Sequence, residues 1–426
     1  MVEVLTFGCR LNGAESDLMR AQAEAAGRHE VGIVNTCAVT AEAARQGAQA
    51  VRRLARERPG RPIVVTGCAA QIEPERFAAL PGVSRVVGNA DKLDAGLWAD
   101  LGRRGPATVS DVAEAREAVP AATRGQVRAF LAVQNGCDHR CTFCTIPVGR
   151  GRSRSVPVDG VVAEVRRCLE RGAREVVLTG VDLTAYGADC GEGAALGGAP
   201  TLGAAPALGA APTLGGLVRA VLAAVPDLPR LRLSSIDGAE ADPDLLEALA
   251  TEPRLMPHLH LSLQAGDDLV LKRMRRRHTH ASAAAFCERV RRLRPDVVFG
   301  ADLIAGFPTE SEAAFGRSLD LVEACGLTYL HVFPYSPRPG TPAARMPPVP
   351  REVVGERARR LREAGAAALG AYLAGEVGRR REVLVEAERL GRTPGFAPVR
   401  FATPQRRGAM REVVIDAQDG RDLIAA

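Results

Sequence analysis

The sequence predicts an α/β protein in three parts, and three observations carry that prediction. Over residues 1–101, short apolar strand runs alternate with helical stretches, the pattern of a parallel sheet flanked by helices. From Val127 the alternation resumes through six strand–helix units, which suggests an open, partial (β/α)6 barrel rather than a closed eightfold one. After an Arg/Ala-rich helical stretch from Glu352 to about Ala374, only short β-type runs between turn residues remain, the pattern of a small all-β barrel. The expected boundaries are 1–105, a linker at 106–124, 125–370 with an insertion at 184–215, and 371–426.

In the first part, Val2–Phe7, Val31–Asn35, Pro62–Thr66 and Val83–Val87 read as strands. A helical stretch runs from Ala14 to about Ala26 and stops at Gly27; Thr40 can cap a second that ends near Arg58, and Asp91 opens another. Each of the first three strands runs into a cysteine: Phe7-Gly8-Cys9, Asn35-Thr36-Cys37 and Thr66-Gly67-Cys68. Parallel strands share a carboxyl edge, where open α/β sheets bind ligands, so three residues distant in sequence would meet at one rim. Gly8 and Gly67 would let the backbone approach a bulky inorganic group. A lone cysteine after a strand is commonly a small buried apolar residue; three in the same position read instead as a 4Fe–4S site with one iron left open. The stretch 102–124 is rich in Gly, Pro, Ala and charge, with no clear period.

The barrel strands are expected at 127–133, 174–179, 231–236, 259–263, 297–303 and 328–333. Helices are expected at Asp159–Arg171, Pro243–Ala250, Ala281–Leu293 and Glu310–Ala324. The loop after the first strand, Gly136-Cys137-Asp138-His139-Arg140-Cys141-Thr142-Phe143-Cys144, carries cysteines at C-x3-C-x2-C spacing. Three thiolates are one short of a closed tetrahedral site, whereas a site doing chemistry keeps a position open. A 4Fe–4S cluster held this way has one bare iron that can chelate a small molecule. The alternative is a zinc knuckle with His139 as a distant fourth ligand. The other strand-end loops are polar or glycine-bearing: Gly180-Val181-Asp182, Ser234-Ser235, Gln264-Ala265-Gly266, Gly306-Phe307-Pro308 and Pro334-Tyr335-Ser336.

Between Thr184 and Gly215 an Ala-Pro-x-Leu-Gly unit repeats with period six, which reads as a flexible surface insertion. Cys190 within it reads as incidental, and Cys168, Cys287 and Cys325 as packing residues of helices. The chain has 426 residues, 46% of them hydrophobic, and a net charge of +6; of its 56 basic residues only Lys92 and Lys272 are lysine. The charge is compatible with a nucleic-acid partner. The run Lys272–Arg277, including Arg273, Arg275 and Arg276, and the C-terminal Arg379, Arg380, Arg381, Arg400, Arg406 and Arg407 are candidate phosphate contacts. Strands are expected there at Arg381–Glu386, Phe396–Phe401 and Arg411–Ile415. No leader opens the chain and no run approaches roughly 18 apolar residues, so a cytoplasmic protein with no membrane partner is expected.

With these motifs in hand, the chain resembles the radical S-adenosylmethionine (SAM) methylthiotransferases along nearly its whole length. The resemblance rests on Thr6–Asn12, Asn35–Thr40, Thr66–Cys68 and the C-x3-C-x2-C loop with Phe143 before its last cysteine. It continues in His260–Gln264, Asp302–Pro308 and Tyr335–Thr341. It implies an N-terminal methylthiotransferase domain, a radical SAM core and a C-terminal TRAM-like RNA-binding domain. It implies two 4Fe–4S clusters, one on Cys137, Cys141 and Cys144 that binds SAM and one on Cys9, Cys37 and Cys68 that holds sulfur. SAM would serve both as radical source and as methyl donor, in a pocket lined by Phe143, Gly180, Asp182, Ser235, Gln264, Asp302 and Ile304. The implied partners are the tRNA anticodon stem-loop, a low-potential electron donor of flavodoxin or ferredoxin type, and a sulfur donor of unspecified identity. Gly8-Cys-Arg-Leu-Asn12, Cys37-Ala-Val-Thr40 and His331–Ser336 are similar to the branch that methylthiolates C2 of N6-threonylcarbamoyladenosine at tRNA position 37. Two other branches act on N6-isopentenyladenosine in tRNA and on a ribosomal-protein aspartate; an RNA-binding iron–sulfur redox sensor without turnover is the reading from another class. A threonylcarbamoyl substrate carries a carboxylate that needs a cation, and the arginines of Gly149–Arg154 are candidate partners.

Overall fold

The computed structural model describes residues 2–101, 107–113, 115, 118–190 and 212–426. The N-terminal sheet is parallel, with strands Glu3–Thr6, Gly32–Thr36, Ile63–Gly67, Val83–Val87 and Ala107–Thr108 in sequential order. Gly32–Thr36 and Ile63–Gly67 are buried along their whole length, as strands covered on both faces must be. The stretch expected to be a linker is therefore structured at both ends. Ala107–Thr108 extends this sheet, and Ala121–Ala122 pairs antiparallel with the first barrel strand.

Two helix starts differ from expectation. The first helix spans Arg10–Ala25, beginning directly after Cys9 rather than at Ala14, with Gly27 beyond its end at φ 70°. Asp91 does not open a helix, because its carboxylate accepts bonds from the Ser110 amide (2.9 Å) and hydroxyl (2.5 Å). The helix there is Ala95–Ala99, capped by Asp94. Thr40 caps Ala41–Glu57 as expected.

The central region carries its parallel strands in chain order: Arg128–Ala132, Glu175–Thr179, Arg230–Leu233, Ser235–Ile236, His258–Gln264, Val298–Ala305 and Leu327–Pro334. The single strand expected over 231–236 is broken at Ser234. Arg230–Leu233 pairs with Glu175–Thr179, and Ser235–Ile236 pairs with His258–Gln264, so the chain changes neighbours between them. One apolar core, from Ala129 and Leu131 through Val176, Leu231, Leu261, Phe299 and Leu327, joins both halves to the outer helices. Cys168, Cys287 and Cys325 are buried in it, as expected of packing residues. Residues 191–211 of the repeat-bearing insertion lie outside the described residues. Its far end is helix: Thr213 accepts a bond from the Gly216 amide and caps Leu214–Ala224, whose Leu214, Leu217, Val218 and Val221 face the core.

A 26-residue helix, Arg351–Glu376, leads into a curled six-stranded sheet. Its strand order is Met410–Val414, Arg380–Ala387, Leu390–Arg392, Pro398–Phe401, Leu423–Ala425 and Ala417–Gln418. A closed barrel was expected; the two edge strands do not pair with each other, which leaves a half-barrel. The reason is that Leu369, Tyr372 and Leu373 of the long helix pack against Val383, Val399, Phe401 and Leu423, so the apolar face is covered without closure. Among the described residues, no helix is long and apolar enough to cross a membrane.

The half-barrel also seals one end of the central barrel. Phe396, held at φ 80°, stacks on His258 with ring centroids 4.5 Å apart, and the guanidinium groups of Arg128, Arg232 and Arg392 lie over its ring. Beside it the fully buried Glu175 binds Arg232 (2.7 Å) and Arg128 (2.9 Å), and Arg128 reaches on to Glu386 of the half-barrel (3.0 Å).

Candidate functional site

At the carboxyl edge of the N-terminal sheet, Cys9, Cys37 and Cys68 follow three adjacent parallel strands. Gly8 and Gly67 stand at φ 90° and 94°. A Cβ on Gly8 would sit 2.5 Å from Cys37 Sγ, and one on Gly67 would sit 2.2 Å from Thr36 O. Both glycines are thus required by conformation and by space. Asn12 ties the rim together, its amide donating to Phe7 O (2.7 Å) and Thr36 O (3.1 Å).

The C-x3-C-x2-C loop meets this rim. After Cys144 the chain forms helix Ile146–Arg150, and a Cβ on Gly149 would lie 3.3 Å from Cys68 Cβ. Thr145 Oγ1 donates to Ala38 O at 3.4 Å, and the Asn89 amide donates to both Gly149 O (2.5 Å) and Cys68 Sγ (3.6 Å). The two cysteine trios therefore face one junction.

Beneath the junction lies a buried ionic cluster that sequence reasoning missed. Glu15 of the first helix binds Arg150 through both oxygens (2.8 and 3.0 Å) and Lys92 (2.5 Å); Arg150 also reaches Asn12 and Asn135. All three charged side chains are at most 1% exposed. Burial alone would raise the Glu15 pKa, but the two cations hold it down to about 2. The available signal was Lys92, one of two lysines in an arginine-rich chain.

The sulfur environments fit iron–sulfur ligation. Sγ of Cys37 accepts from the Val39 amide (3.4 Å), Sγ of Cys144 from the Ile146 amide (3.4 Å) and Sγ of Cys141 from Arg276 (3.8 Å), the type of donor that steadies cluster thiolates. Burial pushes the free Cys37 and Cys144 thiols up to about 11, so a bound cation is what would stabilise the thiolates. Burial and then the neighbouring Asp182 raise Cys137 further, its thiol donating to Asp182 Oδ2 at 3.4 Å. His139 is held among charged partners: its Nε2 is 3.1 Å from Asp182 and 3.2 Å from Glu240, and Arg277 bridges it to Glu240.

The other expected pocket residues sit at or near the carboxyl ends of the barrel strands. Gly180 abuts Gln134, which accepts from the Asp182 amide (2.8 Å) and donates to Gly136 O (2.9 Å), tying the 180–182 loop to the cysteine loop. Ser235 is half-buried, and Gln264 occupies φ 71° at a break in strand register, a strained geometry of the kind found at binding sites. Phe143 packs edge-on to Phe307 (6.4 Å between centroids) in a cluster that includes Ile304. Asp302 Oδ1 is 3.0 Å from His260 Nε2 and 3.3 Å from His331 Nδ1. Burial would raise its pKa, but these contacts hold it at about 2.

Arginine roles differ from expectation. Arg276, expected to face phosphate, is half-buried, donating to Asp237 Oδ2 (2.7 Å) and Ser262 O (2.6 Å) as well as to Cys141. It supports the cysteine loop. Arg273 is half-buried and bound to Thr309 (2.7 Å), while Arg275, Arg379, Arg380 and Arg406 are exposed. Of the arginines that were candidates for a substrate carboxylate, Arg150 and Arg154 are buried, Arg154 donating to the carbonyls of Arg150 (2.9 Å) and Arg152 (3.0 Å), while Arg152 is exposed and donates to Asp138 (3.2 Å).

Comparison with known proteins agrees with this architecture. Residues 131–322 match the Radical SAM superfamily, and residues 1–88 match uncharacterized protein family UPF0004. The threonylcarbamoyladenosine tRNA methylthiotransferase MtaB of Rickettsia prowazekii is 44% identical over 402 residues, covering 94% of this chain and 91% of that protein. A tRNA-2-methylthio-N(6)-dimethylallyladenosine synthase of Erythrobacter litoralis is 35% identical, covering 92% and 87%. Among solved structures, the radical SAM methyltransferase TsrM of Kitasatospora setae shares the fold at a TM-score of 0.52 and 17% identity, covering 78% of this chain and 68% of that one. With both cysteine motifs at one junction and relatives of this similarity aligned along almost the whole chain, the protein belongs to the radical SAM methylthiotransferase family.

Proposed function

We propose that this enzyme adds a methylthio group to C2 of N6-threonylcarbamoyladenosine at position 37 of tRNA. The observation that carries the substrate is the 44% identity, over 94% of the chain, to a protein named a threonylcarbamoyladenosine tRNA methylthiotransferase. In this reading Cys137, Cys141 and Cys144 hold one 4Fe–4S cluster and Cys9, Cys37 and Cys68 hold a second. When bound, the clusters and SAM supply one-electron reduction, a hydrogen-abstracting radical and a methylated sulfur.

The chain's own residues orient and enclose. Arg276 and the amides of Val39 and Ile146 donate to thiolate sulfurs, and Arg150 places a positive charge under the junction. Gly180, Asp182, Ser235, Gln264, Asp302, Ile304 and Phe143 line the SAM pocket. The half-barrel acts as a TRAM-like RNA grip, with Arg379, Arg380 and Arg406 contacting phosphates alongside Arg273 and Arg275. A low-potential flavodoxin- or ferredoxin-type protein supplies electrons in the cytoplasm.

The test offers the reconstituted, anaerobic, reduced enzyme two tRNAs, one threonylcarbamoylated and one prenylated at position 37, with nucleoside mass spectrometry as readout. Preferential turnover of the first is expected. Preferential turnover of the second would move the enzyme to the branch of its 35% identical relative.

A further inference from the structure

A threonylcarbamoyl group brings a carboxylate to the reaction junction, and a carboxylate leaving water needs a cation with donors to spare. Three arginines near the SAM-cluster loop have none: Arg150 is consumed by Glu15, Arg154 by two carbonyls, and Arg276 by Asp237 and Ser262 O. Arg10 differs. It follows Cys9 directly, at the carboxyl edge of the first strand, and its side chain remains exposed. Among the described residues it makes no hydrogen bond or ion pair; its guanidinium lies over the Phe130 ring, 4.9 Å from the centroid. A second cation shares this spot: Arg128 lies over the same Phe130 ring at 5.6 Å, and Arg128 and Arg392 together lie over Phe396. Those two arginines are already paired with Glu386, and Arg128 with Glu175 as well.

His331 completes the site from the barrel side. It is 64% exposed, and its Nδ1 is 3.3 Å from Asp302 Oδ1. His331 lies on the last barrel strand, Leu327–Pro334, whereas the Phe130 ring under Arg10 lies on the first, Arg128–Ala132, so the two residues stand on the two sides of the open barrel.

We propose that Arg10, with His331 opposite, binds the carboxylate of the threonylcarbamoyl side chain and so selects this substrate over a prenylated one. The inference rests on the function proposed above. An anion there would relieve the mutual repulsion of Arg10, Arg128 and Arg392, and the planar guanidinium suits bidentate carboxylate binding. An apolar prenyl chain would leave Arg10 desolvated and unpaired, which turns the same residue into a barrier.

The test uses synthetic anticodon stem-loops carrying threonylcarbamoyladenosine or its methyl ester, which removes the charge and keeps the shape. The readout is the ratio of kcat/KM for acid over ester within each variant, so any general loss of clusters cancels. The intact enzyme should favour the acid ~10- to 100-fold. Arg10→Gln should bring the ratio close to one, Arg10→Lys should keep part of it, and His331→Ala should lower it less. Where a variant gives no product, the same ratio is read from stem-loop binding. An intact enzyme that turns over neither stem-loop sinks the proposed function itself. An intact enzyme that discriminates, with Arg10→Gln discriminating equally well, overturns this inference alone.

Discussion

Replacing Glu15 by glutamine keeps the shape while removing the carboxylate that Lys92 and Arg150 share, along with one of its two acceptor oxygens. Both cations are then left buried without a counter-charge, a situation that costs ~3–5 kcal/mol in other proteins. The ionisation equilibrium gives a similar figure. Glu15 is held at about 2 in the folded chain against an ordinary 4.5, and at 1.36 kcal/mol per pKa unit this difference is worth about 3 kcal/mol. Because the folded pKa is depressed, that stability is fully present above pH ~4.5 and is lost as pH falls through about 2. The chain's single tryptophan, Trp98, is fully buried and donates to the carbonyl of Lys92 (3.3 Å), so its fluorescence reports on this spot. In urea unfolding followed by Trp98, Glu15→Gln should be about 3 kcal/mol less stable at pH 7, and the gap should shrink to less than half at pH 3. Stability within ~0.5 kcal/mol of the parent at pH 7, or a gap independent of pH, would refute the account.

Two further outcomes bear on the reaction. Cys141→Ala and Cys37→Ala should each lower iron content by roughly half, and the Cys37 variant should still cleave SAM reductively while making no methylthio product. Normal methylthiolation by that variant would return Cys9, Cys37 and Cys68 to the role of plain core residues. Arg379→Ala, Arg380→Ala and Arg406→Ala combined should reduce the salt dependence of tRNA binding by a slope of about one per lost phosphate contact. An unchanged slope would move the RNA grip elsewhere. Substitution is the appropriate perturbation here, since truncating the chain near Glu376 would also strip Phe396 and Glu386 from the sealed end of the barrel.

The sequence by itself determined the α/β architecture of the first two parts and the grouping of six cysteines into two trios. Strand periodicity puts Cys9, Cys37 and Cys68 at one sheet edge, and Cys137, Cys141 and Cys144 lie within eight consecutive positions. Both are local signals, readable without knowing what packs on what. Gly8 and Gly67 were legible for the same reason: a backbone turn before each cysteine needs conformations that glycine adopts freely. The roles of the arginines were decided only by tertiary structure. Arg276 and Arg275 are neighbours in one basic run, yet one supports Cys141 and the other faces solvent. Arg150 meets Glu15 across 135 positions of chain, and Arg128 meets Glu386 across 258. The half-barrel stays open because a helix that precedes it in sequence covers its apolar face. Periodicity and spacing record which way a residue points within its own element. They do not record which charge from a distant element will be waiting there, and a buried guanidinium takes its function from that partner.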